Sequence, residues 1–266
     1  MSRSLGVCRL CCEARELRRS HIVPRSIINR CKGGQGQLVT FSSDASVSPE
    51  LSNYDPKERL LCSQCEKFLD TTYERHGASL LFPARKDRGK RLVRMPGYVK
   101  FKNFKYEDTY LFFLSIFWRA SISSLSTFAS ITFGQALDKE IAASLREKTL
   151  SLRGSSVRLD GFMRLVMVKL TDPTGQLTDE WFRNTMIGVN TEAGECSDLL
   201  VYFGVGGFLV GFYISPPGES YVGFPSKWTS PVAGAKVFRA ACVPVQELKQ
   251  VQELLNATRT ANPPMA

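Results

Sequence analysis

Apolar positions crowd the chain after residue 106, whereas before it they are broken up by charged and small polar residues. Tyr110 to Trp118 is almost continuously apolar, and its length together with Arg119 to Leu125 predicts a buried helix rather than a strand. Leu137, Ile141 and Leu145 fall at i, i+4 and i+8, one face of an amphipathic helix. Phe162 to Leu170 is rich in strand-forming residues and stops at the turn signal Asp172-Pro-Thr-Gly. Leu199 to Phe203 and Phe208 to Ile214 flank Gly204-Val-Gly-Gly, which predicts a β-hairpin. Val237 to Val243 reads as a further strand, and Leu248, Val251 and Leu255 mark a last helix face. From Tyr98 to Lys105 aromatics alternate with lysines, as in a strand with its rings in a core and its charges in water. The pattern predicts a mixed α+β domain over residues 107–258 and a frayed tail over 259–266.

At 266 residues, 43% hydrophobic and 11% aromatic, the chain can bury a core, which excludes global disorder. Charge changes the picture more. The net charge is +10, but residues 1–106 hold 21 basic and 10 acidic side chains while the other 160 hold 14 and 15. That asymmetry points the first part of the chain toward a polyanion. The longest apolar stretch, Leu199 to Ile214, is short and carries Gly204, Gly206, Gly207 and Gly211, so no membrane span is expected. Arg3, Arg9 and Arg15 lead into no apolar run, so no signal peptide is expected and the cytoplasm is the predicted location. In that reducing setting a cysteine pattern points to metal before disulfides.

Six of the eight cysteines fall within residues 1–80. Cys8-x-x-Cys11 and Cys62-x-x-Cys65 have the spacing at which one tight knuckle presents two thiolates to one ion. The first pair precedes a predicted hairpin and the second opens a predicted helix. A knuckle, a hairpin and a helix N-terminus around one Zn²⁺ make a treble clef, with the polar Gly33 to Asn53 segment as a loop or insertion. Four thiolates leave no open position for water, so this zinc is expected to be structural. Cys12 adjoins Cys11 and is an alternative ligand, and Cys31, Cys196 and Cys242 are expected as small core residues.

Between the pairs lies Arg19-Ser-His-Ile-Val-Pro-Arg25. With Cys8, Cys11, His21, Ile22, Val23, Pro24, Leu61, Cys62 and Cys65 in this order, residues 8–80 resemble the HNH (ββα-metal, His-Me finger) nucleases that carry zinc knuckles. The resemblance implies that His21 is the general base for water attack on a phosphodiester. It also implies that Glu66, next to Cys65, is a ligand of a catalytic Mg²⁺- or Mn²⁺-type ion. The chain departs from the family twice. Ser20 stands where the family has an acid, and Lys57 stands where it has an Asn, in a position to contact phosphate; Asn53 is the displaced alternative. Glu66, Asp70 and Glu74 at i, i+4, i+8 share a helix face, for which solvation competes with metal ligation. His76 reads as a surface or capping residue.

Residues 81–106 form a basic connector. Arg85, Lys86, Arg88, Lys90, Arg91 and Arg94, with Arg18, Arg19 and Arg25 near His21, suit a phosphate backbone. The expected class is therefore α+β, an HNH-like zinc treble clef over 1–80 followed by a larger domain. The expected activity is metal-dependent endonucleolytic hydrolysis of nucleic acid, DNA in preference to RNA. Two other readings stay open. One is a catalytically inactive zinc module that binds nucleic acid. The other is an effector acting through residues 107–266, whose apolar runs at Tyr110–Trp118 and Leu199–Ile214 would form a homo-oligomer or protein interface.

Overall fold

The computed structural model describes residues 5–32, 38–41, 50–52, 55–84, 87–193, 198–215, 227–248 and 251–252. The chain opens with β1 (Leu5–Val7) and β2 (Ala14–His21), passes through α1 (Arg25–Cys31), β3 (Leu38–Phe41) and β4 (Glu50–Ser52), and returns in β5 (Lys57–Cys62). Next come α2 (Ser63–Leu69), a π turn at Asp70–Glu74, and α3 (Arg75–Leu81). Leu69 and Arg75 on either side of the π turn keep right-handed helical backbone, so residues 63–81 run as one helix. Then follow α4 (Arg88–Arg91), β6 (Leu92–Met95), β7 (Tyr98–Lys102), α5 (Tyr106–Ser121) and α6 (Gln135–Glu147). The remainder is β8 (Met163–Thr171), α7 (Asp179–Asn184), β9 (Thr185–Ala193), β10 (Leu199–Val205), β11 (Phe208–Ile214) and β12 (Val237–Pro244).

The strands form two sheets, so the chain is mixed α+β. The smaller runs β1-β2-β5, antiparallel throughout. The larger runs β4-β3-β9-β10-β11-β8-β12-β7-β6 and is antiparallel except where β3 meets β9 and β12 meets β8. The predicted hairpin is β10–β11, with Val205 opposite Phe208. Its two-residue turn is Gly206-Gly207, at φ of 61° and 80°, the double positive φ that a tight hairpin with the natural strand twist requires.

Two stretches expected to lie outside the α+β body belong to its sheet. Residues 38–41 and 50–52, within the segment expected as a loop or insertion, pair as β3 and β4 at one edge. Residues 81–106, expected as a connector, supply β6 and β7 at the other edge. Here the aromatics face inward as the alternation predicted: Phe101 and Phe104 are buried, and Phe101 stacks on Phe238 at 5.8 Å.

Helix α5 explains why the two parts of the chain cohere. Every residue from Thr109 to Ala120 is buried, as expected of a helix covered on all sides. One side packs on the sheet, with Tyr110 and Phe117 at 4.8 and 5.5 Å from Phe212 and Phe117 also 5.5 Å from Phe203. Another side meets α3 so closely that a Cβ on Gly77 would lie 2.2 Å from the Phe112 ring. One hydrophobic cluster therefore runs unbroken from Cys8 and Leu61 through α5 to Phe212 and Phe238. Both apolar runs suspected of forming an interface are buried inside this chain. On the far face of the sheet, Val166, Val168 and Leu170 of β8 join a second cluster with Leu209 and Trp228. Cys31 is a core residue, and burial pushes its thiol up to about 12. Cys242 is only half-buried, and Cys196, Leu255 and the tail lie outside the described residues. No helix among the described residues is long and apolar enough to cross a membrane.

Candidate metal centre and the His21 site

The turn from β1 to β2 is built to present sulfur. Cys12 adopts a left-handed φ of 62°, and its N–H donates to the Cys8 carbonyl at 2.8 Å while the Cys8 N–H donates to Glu13 at 2.9 Å. The Arg9 N–H donates to Leu60 of β5 at 3.0 Å, which fixes the knuckle on the strand carrying the second pair. Cys62 ends β5 and caps α2, and Cys65 sits in the first helical turn. As a result the ligand atoms of Cys8, Cys11, Cys62 and Cys65 all lie within 4.8 Å of one another. Exposed Cys12 is not part of that group.

The donor set fits a metal ion such as zinc, for which sulfur is a favoured ligand. The Cys62 N–H donates to Cys8 Sγ at 3.3 Å, a contact that favours a thiolate. Burial alone would raise the Cys8 thiol, but backbone N–H groups of Cys11, Cys62 and Leu10 outweigh it and hold it below its ordinary value. Cys65 is pushed well up, by burial first and then by the neighbouring sulfurs. A bound cation would relieve that mutual repulsion and let the four sulfurs ligate as thiolates.

His21 ends β2 and pairs across the sheet with Lys57. Its Nε2 lies 3.1 Å from Asp55 Oδ1, and Lys57 Nζ reaches the other oxygen of the same carboxylate. His21 Nε2 and Asp55 Oδ1 are buried atoms, aligned too poorly for a good hydrogen bond and with no other hydrogen-bond partner among the described residues. Burial pushes the imidazole below 6.5, against the pull of Asp55, while Lys57 and Arg25 push in the same direction as burial. This environment favours the neutral imidazole, which keeps a lone pair.

The backbone beneath His21 is pinned. Ile22 and Val23 are fully enclosed, and the Ile22 N–H donates to Pro56 at 3.1 Å. Arg119, 1% exposed on α5, donates to the His21 carbonyl at 2.8 Å, to Glu74 Oε1 at 2.7 Å and to the Ser115 carbonyl at 3.1 Å. Glu74 closes the π turn, so the expected solvated face of Glu66, Asp70 and Glu74 does not form. Asp70 pairs with Arg75 at the surface, and Glu74 is turned inward onto Arg119. π turns are frequent at functional sites. His76, expected as a surface or capping residue, is half-buried with its Nε2 3.1 Å from Thr109 Oγ1 of α5, and burial pushes its imidazole down.

The sequence-predicted residues are only partly brought together. His21, Lys57 and Arg25 share one electrostatic neighbourhood, and Arg18 and Arg19 are exposed on the same strand. Ser20 is buried and accepts from the Leu61 N–H at 3.2 Å, a structural bond in the place where the nuclease family has an acid. Glu66 is not among the charges that act most on His21. Its Oε1 is buried without a hydrogen-bond partner, and the described residues gather no second group of three or more His, Cys, Asp or Glu donors. Among the described residues Glu66 is thus not joined by two further His, Cys, Asp or Glu donors. Lys90 and Arg91 are exposed on α4, and Arg94 is engaged by Asp179. Arg85, Lys86, the Arg88 side chain and Asn53 lie outside the described residues. Sequence reasoning missed Asp55 and Arg119. A charge set in the apolar run Phe117-Trp-Arg119 was the available signal, because a buried guanidinium must find a carboxylate.

Comparison of the chain with family models, with curated proteins and with solved structures returned no match.

Proposed function

We propose that this chain is an HNH-like treble-clef protein, stabilised by zinc on Cys8, Cys11, Cys62 and Cys65, that hydrolyses phosphodiester bonds of nucleic acid with His21 as general base. The observation that carries it is the half-buried, neutral His21 facing Asp55, with Lys57 on the same carboxylate. The knuckle, the β2–β5 pair and the α2 N-terminus meeting at four sulfurs support the fold assignment.

The roles follow from geometry. Asp55 faces Nε2 and favours the tautomer with its proton there, which leaves the Nδ1 lone pair to accept a proton from an attacking water. Asp55 thereby holds the His21 tautomer, which Lys57 in the place of the family's Asn cannot do. Lys57 and Arg25 place positive charge where phosphate charge grows as water attacks, and Arg18 and Arg19 would hold flanking phosphates. His21→Ala is expected to abolish nicking of plasmid DNA while zinc content and circular dichroism stay unchanged; general-base loss is worth about 10²–10⁴-fold in rate. Purified protein that binds DNA but cuts neither DNA nor RNA, with Mg²⁺, Mn²⁺ or chelator present, would overturn the nuclease reading. It would support the inactive, nucleic-acid-binding module instead, to which the buried Ser20 in place of an acid lends weight.

A further inference from the structure

Lys169 lies in β8, inside the nine-stranded sheet, with 4% of its surface exposed. A buried ammonium is costly unless its donors and charge are met. Its Nζ donates to the Leu170 carbonyl at 2.8 Å and approaches Asp179 Oδ1 at 3.3 Å. It also lies 5.4 and 5.8 Å from the ring centres of Phe182 and Phe208, whose faces attract a cation. Asp179 is shared, because Arg94 engages its other oxygen. One half-exposed carboxylate thus serves two cations. The side chain of Arg183, one turn further along α7, makes no hydrogen bond or ion pair among the described residues although the residue is half-buried. Arg30 of α1 is anchored beside them on the Phe82 carbonyl at 2.7 Å.

These four cations line one cleft of about 870 Å³, where Asp179 and Glu180 are the acidic members. The volume lies within the range of sites for small organic ligands. The surplus of two positive charges suits a phosphate dianion, and guanidinium groups bind phosphate through paired N–H donors. Phe82 and Phe208 add apolar wall to the same cleft, against which a flat ring can rest. Nothing in the chemistry of His21 uses any of these groups. We propose that this cleft binds a nucleoside phosphate, with its phosphates among Arg94, Arg183 and Lys169 and its base against the aromatic wall.

Calorimetric titration of the full chain with ADP and with adenosine tests the assignment. ADP is expected to bind saturably at micromolar concentration, and adenosine at least tenfold more weakly. Arg183→Ala, which breaks no side-chain hydrogen bond or ion pair among the described residues, is expected to weaken ADP by about tenfold with a little-changed melting temperature. Lys169→Met reads the floor of the cleft but endangers folding, so Arg183→Ala is the deciding variant. His21→Ala is expected to bind ADP as wild type does, which keeps this site separate from the proposed nuclease site. Absence of saturable ADP binding, adenosine binding as tightly as ADP, or an Arg183→Ala affinity equal to wild type would each overturn it.

Discussion

In β2 only Leu17 and Ser20 are buried, while Ala14, Arg18 and Arg19 face water. In β8 only Arg164 and Thr171 escape burial among nine residues. The two strands sit in the two sheets of one molecule, and the contrast shows what each sheet rests on. The large sheet is stabilised by apolar burial on both faces, since alternate residues of β8 feed separate clusters. The small sheet has little such surface to bury. It rests on the four-sulfur hub and on α5, whose Arg119 bonds β2 and the π turn together.

Metal removal tests that contrast most severely. Structural zinc contributes on the order of 10 kcal/mol in small zinc-held folds. Elemental analysis is expected to find one zinc per chain, absent in Cys65→Ser. Chelator or Cys65→Ser is expected to expose amides of β1, β2, β5 and α2 to hydrogen exchange, while β8, β10 and β11 stay protected. Deprotection of both sheets together would show that the hub supports the whole core and that the contrast is false.

How much of this was visible beforehand differs between the sheets in the same way. The hydrophobic pattern found α5, α6, β8, the β10–β11 hairpin and β12, because each buries enough apolar surface to print a period on the sequence. The four cysteines were legible because ligand spacing is local. What escaped depends on contacts far apart in the chain. Asp55 meets His21 across 34 positions and Arg119 meets it across 98, and nothing local to either residue encodes the partner. The edge strands β4 and β6, and β3 beside β4, left no period in the sequence, since strands this short carry weak patterns, whereas the alternation of β7 was legible from Tyr98 onward. The extra residue of the π turn rotated Glu74 away from the face that a regular α-helix assigns it.

Two neighbouring residues of α5 separate the forces more finely. Phe117 serves the large sheet through Phe203 and Phe212, and Phe117→Ala is expected to cost about 3–5 kcal/mol in urea unfolding. Arg119→Met is expected to cost a similar amount, about 3–5 kcal/mol, because it strands the buried Glu74 carboxylate. The difference lies in repair. Adding Glu74→Gln to Arg119→Met removes the stranded charge and is expected to recover more than half of the loss. No second change at the ion pair should help Phe117→Ala. If the double variant is no more stable than Arg119→Met, the ion pair is not what ties the small sheet to α5.

The smallest expected effect lies at the seam between the regions and depends on pH. Both histidines of the chain are there: His21 bonds α5 through its carbonyl, and His76 faces Thr109 of α5. Burial holds both imidazoles below their ordinary value of 6.5. The unfolded chain therefore takes up these protons before the folded one does. Stability is complete above about pH 6.5 and falls as pH drops toward the folded values, by no more than about 1.4 kcal/mol per pH unit for each histidine. Urea midpoints measured from pH 8 to pH 5 are expected to decline below about 6.5. His76→Gln, which keeps a donor for Thr109 and cannot titrate, is expected to flatten the slope. A protein more stable at pH 5.5 than at 7.5 would mean that the charged imidazoles are welcomed at the seam. It would also mean that Asp55 outweighs burial at His21, reversing the neutral state on which its role as a base depends.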